Sequence, residues 1–87
     1  MSLRTRWHPA AEEQLKHIGW HPAESVDAAV IRFATTGRGD VERTGPGEYR
    51  LRVGVYRVWF MVERASDPQM SESVMHVLGV YGPRRKL

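Results

Sequence analysis

The chain's 87 residues carry 13 basic and 10 acidic side chains, four histidines and no cysteine, for a net charge of +3. A chain this short is expected to form one domain over residues 1–87 with a modest core; it leaves no room for a separate cofactor domain, and it has neither disulfides nor a thiolate metal site. No apolar run approaches the ~20 residues of a membrane span, and the N-terminal MSLRTRWHPA lacks the apolar stretch of a signal peptide, so a cytoplasmic protein without membrane partners is expected.

In chain order, Leu3 to Trp7 suits a short first strand. Trp-His-Pro-Ala then occurs twice, at 7–10 and 20–23, each time followed by acidic residues and a helical pattern. Proline is tolerated at the first helical position and acids favour the N-terminal end of the helix dipole, so both copies predict helix starts. The helices are placed at Pro9 to His17 and Pro22 to Thr36, the second with Val26, Ala29, Val30 and Phe33 at helical spacing. His8 and His21 are expected to cap them, and Gly19 and Gly37 to end them. Thr36-Gly37-Arg38-Gly39-Asp40 and Gly45-Pro46-Gly47 are turn chemistry.

After Gly47 the apolar period becomes two. Tyr49, Leu51 and Val53 alternate with Arg50 and Arg52, and Gly54-Val55 suits a two-residue hairpin turn with glycine first. That turn pairs Val53 with Tyr56, Arg52 with Arg57, Leu51 with Val58, Arg50 with Trp59 and Tyr49 with Phe60. One face is then apolar core, and the other presents Arg50, Arg52, Arg57 and Trp59. Arg64 to Ser73 reads as a polar loop, and Ser73 to Tyr81 as a last strand. The expected order is strand, helix, helix and three antiparallel strands (β-α-α-β-β-β), an α+β fold.

The positive charge is concentrated. Residues 43–57 hold Arg43, Arg50, Arg52 and Arg57 against Glu48 alone, and the tail adds Arg84, Arg85 and Lys86, so the rest of the chain is net acidic. Like charges opposite one another weaken a sheet, as Arg52 does opposite Arg57. Arginine matches phosphate and carboxylate with a planar fork, and Trp59 offers a surface on which an unpaired base stacks. A polyanion or an acidic protein segment fits this face; a solvated sheet surface is the plainer alternative.

The segments "WHPAAEEQL", "TGRGDVERTGPGEYRLRVGVYRVWF" and "VLGVYGPRR" resemble the RelE/ParE toxin superfamily of bacterial type II toxin–antitoxin systems, over nearly the whole chain. The most specific part is the arginine-rich hairpin followed by a valine-rich strand and an arginine pair. The resemblance implies a small α+β domain with a two-helix hairpin packed on a twisted antiparallel sheet. It implies a cognate antitoxin as partner, with operator DNA reached only through the antitoxin complex, and no cofactor. RelE-like members cut ribosome-bound mRNA; ParE-like members inhibit DNA gyrase; an inactive relative binds only its antitoxin.

For the nuclease, the resemblance assigns Arg57 and Arg84 to transition-state charge, and Arg50 and Arg52 to holding the RNA backbone, with Arg85 and Trp59 beside them. Many relatives carry a tyrosine beyond the last arginines, and some a C-terminal histidine and tyrosine. Here the sequence runs to Leu87 with neither, and Tyr81 is the nearest substitute as the third catalytic residue. Other signals carry less. His17 and His21 are four apart but lack a third metal ligand. Arg38-Gly39-Asp40 is a loop, and His76 reads as a hydrogen-bonded strand histidine. Phosphate-loop, dinucleotide-binding and serine-nucleophile motifs are absent from the sequence.

Overall fold

The computed structural model describes residues 2–67, 69 and 71–83. Strand β1 (Arg4–Trp7) leads into helices α1 (Pro9–His17) and α2 (Trp20–Thr36), followed by strands β2 (Asp40–Gly45), β3 (Glu48–Val53), β4 (Tyr56–Glu63) and β5 (Val74–Tyr81). The five strands form one sheet in the order β1-β5-β4-β3-β2. The α+β fold is as expected, with one strand more. Asp40–Gly45, whose two ends were expected to be turn and whose middle was assigned no strand, pairs antiparallel with β3, with a bulge between Arg43 and Gly45. The sheet is also mixed, because β1 lies parallel to β5.

The β3–β4 register matches the sequence expectation at all five pairs, including Arg52 opposite Arg57 and Arg50 opposite Trp59. Gly54 has φ +60° and no other residue of the turn has positive φ. That is the turn type that wants glycine first and twists with the strands.

Helix α2 begins two residues before the expected Pro22. Gly19 precedes it with φ 95°, and the first intrahelical bond runs from Ala23 N–H to Gly19 O at 3.0 Å. Pro22 therefore sits where an N–H has no helical acceptor, so the missing proton costs nothing. The two Trp-His-Pro-Ala copies thus occupy different places: Trp7 is strand and Trp20 is helix. His8 stands at the N-cap of α1 as expected, though without a side-chain cap bond, whereas His21, expected to cap the second helix, is inside α2.

The core lies between the helices and one sheet face. Ala11 of α1 and Val26, Val30, Phe33 and Ala34 of α2 meet Leu51, Val58, Phe60, Met75, Val77 and Val80. Phe60 is fully buried, with ring centroids 5.1 Å from Phe33 and 5.4 Å from Tyr49. Strand β1 pairs β5 only as far as Val77, and α1 continues alongside β5. There Gln14 Oε1 accepts the Val80 N–H at 2.8 Å, next to a ladder irregularity that leaves Leu78 without a partner on β4. Among the described residues no helix is long and apolar enough to cross a membrane.

Candidate functional site

The side chains that alternate away from the core make a sheet face that, among the described residues, no helix covers. Strand β4 contributes Arg57, Trp59, Met61 and Glu63, and β3 contributes Glu48, Arg50 and Arg52 opposite them. Strand β5 places Tyr81 opposite Arg57, Gly79 opposite Trp59 and His76 opposite Met61. The face is legible from the hairpin alone, because period two sends every second residue outward.

Four of the residues expected at the site share one groove of about 730 Å³: Arg50, Arg57, Trp59 and Tyr81, with Thr44, Val80 and Gly82. Tyr81 is 45% exposed, and its phenol folds back over Gly79. A Cβ at position 79 would lie 3.0 Å from the Tyr81 hydroxyl, so glycine there makes room for the ring. Arg52 lies beside the groove, in a shallow depression it shares with Asp40, Glu42, Arg50 and Arg57. Arg84 and Arg85 lie outside the described residues.

The opposed arginines are relieved in two ways. Arg52 Nε is 3.7 Å from Asp40 Oδ2 across β2. Arg57 Nη1 donates to the carbonyls of Gly54 at 3.2 Å and Tyr56 at 2.9 Å, bracing its own turn. The remaining guanidinium N–H groups of Arg57 are not used by these two bonds, so the side chain is held in place while keeping donors for an anion. Asp40 and Glu42 are functional neighbours that the sequence reading missed. Their strand has one core-directed apolar residue, Val41, too faint a period to mark it.

A second group lies further along the same face. His76 Nε2 is 3.1 Å from Glu63 Oε1, and His76 Nδ1 is 3.4 Å from His8 Nε2. The expectation of a hydrogen-bonded strand histidine at 76 holds. Among the described residues no group of three or more His, Cys, Asp or Glu side chains is arranged to hold a metal ion, and His17 instead contacts Glu13 one turn back, through its backbone carbonyl at 2.7 Å.

No protein-family model matches the chain, and no curated protein matches it in sequence. Among solved structures, it is similar to a chain in the crystal structure of the toxin–antitoxin complex RelBE2 from Mycobacterium tuberculosis. The match covers 95% of this chain and 100% of that one, at 18% identity and a TM-score of 0.56. At that identity the likeness speaks for the backbone, and the backbone is the one the sequence resemblance led to: a strand, two helices and an antiparallel run of strands in a RelE-like fold.

Proposed function

We propose that this chain is the toxin of a bacterial toxin–antitoxin pair and cuts ribosome-bound mRNA in the cytoplasm. The observation that carries the reading is the convergence of Arg50, Arg57, Trp59 and Tyr81 on one groove of an otherwise uncovered sheet face. In this reaction a ribose 2′-hydroxyl attacks the adjacent phosphorus, and the bond to the 5′-oxygen breaks. The products are a 2′,3′-cyclic phosphate and a 5′-hydroxyl. Arg57, with Arg84 from the tail, stabilises the extra negative charge on the pentacovalent phosphorus. Arg50, Arg52 and Arg85 hold the backbone, Trp59 stacks a base, and Tyr81 carries a proton at the reacting oxygens. No cofactor is required.

The partner is a cognate antitoxin that covers the basic face with an acidic segment, operator DNA being bound only through that complex. A second reading has its own support. Asp40 pairs with Arg52, and Glu42 lies cross-strand from Arg50, which suits a protein-binding surface better than a bare phosphate track. On that reading the chain is a gyrase inhibitor, or a relative that only binds its antitoxin.

Primer extension on mRNA in a purified translation reaction, beside a ribosome-free control, separates the two. Cuts on translated message alone that vanish with Arg57→Ala establish the nuclease. Intact message at every dose excludes it.

A further inference from the structure

The geometry points to a track longer than the arginine groove: a bound RNA strand continues past Trp59 onto Met61 and His76, and its next phosphates lie on Arg6 and Arg4 of β1. The inference rests on the nuclease reading and extends the surface that holds its substrate. Register sets the outward side chains in rows across the sheet. The groove takes up two of them, Arg57 with Tyr81 and Trp59 with Gly79. The next row is Met61, His76 and Arg6, and the one after it Glu63, Val74 and Arg4. Successive rows stand two residues, about 6.6 Å, apart along a strand, a step that one nucleotide of an extended single strand spans. Arg4 and Arg6 belong to this face because Trp7 packs against the core, and alternation sends the two arginines the other way.

The third row has the chemistry of a base seat. Met61 is a large apolar side chain left 38% exposed on a charged face. Beside it a cavity of about 430 Å³ is walled by Leu78, His8 and His76. A thioether and apolar walls take the flat face of a base better than they take a phosphate. The imidazoles are tied back: His76 Nε2 donates to Glu63 Oε1 at 3.1 Å, and His76 Nδ1 is 3.4 Å from His8 Nε2, so the wall is held in place. Charge sets the direction of the backbone. Glu48 pairs with Met61 on the β3 side, and Glu63 follows Met61 on β4. Both acids repel phosphate, whereas Arg6 and Arg4 attract it on the β1 side. Both arginines are exposed, and among the described residues neither makes an ion pair, which leaves their planar forks to a ligand.

Fluorescence anisotropy with a labelled single-stranded RNA of about 12 nucleotides, titrated at several salt concentrations, tests the track without any cleavage assay. Arg4→Gln/Arg6→Gln should weaken binding and flatten the log–log salt slope by about 1.4 units, the share of two phosphates. Lys16→Gln/Arg32→Gln removes the same charge from the helices behind the sheet and should leave the slope as in the parent. Met61→Ala should weaken binding several-fold at an unchanged slope, because it removes a stacking surface and no charge. Circular dichroism of each variant separates a lost contact from a lost fold. If Arg4→Gln/Arg6→Gln behaves like the helix control while Arg50→Gln/Arg52→Gln/Arg57→Gln still flattens the slope, the strand stops at the groove; the extension is then overturned and the nuclease reading stands. Unchanged affinity in Met61→Ala would strike the base seat. A parent without salt-dependent RNA binding would overturn the track and the nuclease reading together.

Discussion

In the proposed nuclease Arg57 does two jobs with one side chain. Two hydrogen bonds from Nη1 to the turn carbonyls brace its guanidinium at the groove, and its other N–H groups are not used by them. Arg57→Ala removes both. The turn bonds are exposed or half-exposed, so the stability loss should be only about 1 kcal/mol. A donor aimed at developing charge is worth about 10²–10³ in rate, so cleavage of translated mRNA should fall by that much while thermal unfolding barely moves. Equal losses in a denaturant melt and in cleavage would reduce Arg57 to a turn brace. Gly79 gives a finer test of Tyr81. Its backbone accepts alanine, but the new methyl would press on the Tyr81 hydroxyl from 3.0 Å. The phenol is the far end of a half-exposed side chain, so it should swing away rather than unfold the strand. Gly79→Ala should then match Tyr81→Phe in cleavage rate at near-parental stability. Full activity in both would remove Tyr81 from the chemistry.

At the scale of elements, α1 finishes what β1 leaves undone. Strand β1 stops at Trp7, and the Val80 N–H further along β5 is satisfied by Gln14 from the helix. Gln14→Ala leaves that half-buried donor unpaired and should cost about 1–2 kcal/mol in urea unfolding, whereas Gln14→Glu, which keeps an acceptor, should cost less. A neutral Gln14→Ala would mean that water replaces the side chain at no cost. This contact joins residues far apart in sequence, and such contacts are the ones a single sequence hides. The hairpin was legible because alternation and a glycine turn fix register locally. The parallel pairing of β1 with β5 was not, because nothing near Arg4–Trp7 encodes a partner some 70 residues away. Strand β2 escaped notice as an edge strand whose mostly polar residues pack on little. The start of α2 was misplaced because proline is equally welcome throughout the first helical turn. For the candidate site, the hairpin register brought Arg50, Arg52, Arg57 and Trp59 to one face from sequence alone. The acids Asp40 and Glu42 came with the unread strand, and the pairing of His8 with His76 came with the unread parallel register.

Across the whole molecule, the sheet separates two kinds of physics. One side carries the apolar contacts that stabilise the fold, and the other carries charge that contributes little to it. The Arg52–Asp40 pair illustrates the second side. Both side chains are more than half exposed, and such pairs contribute about 0–1 kcal/mol. The charges are therefore open to change without loss of fold, which makes the uncovered face testable as an electrostatic object. Binding of a single strand that neutralises Z phosphates weakens with salt at a log–log slope of about −0.7Z. If Arg50, Arg52 and Arg57 each hold a phosphate, the Arg50→Gln/Arg52→Gln/Arg57→Gln variant should flatten the slope for a single-stranded RNA oligonucleotide by about 2 units. Contacts from the tail are common to both proteins and cancel in the difference. Asp40→Asn with Glu42→Gln should act oppositely, tightening binding at every salt concentration, because it removes the two acids that compete with phosphate for Arg52 and Arg50. An unchanged slope in the triple variant would mean that no phosphate sits on these arginines. The same charges would then be left to an acidic protein segment, and the nuclease reading would lose its binding surface.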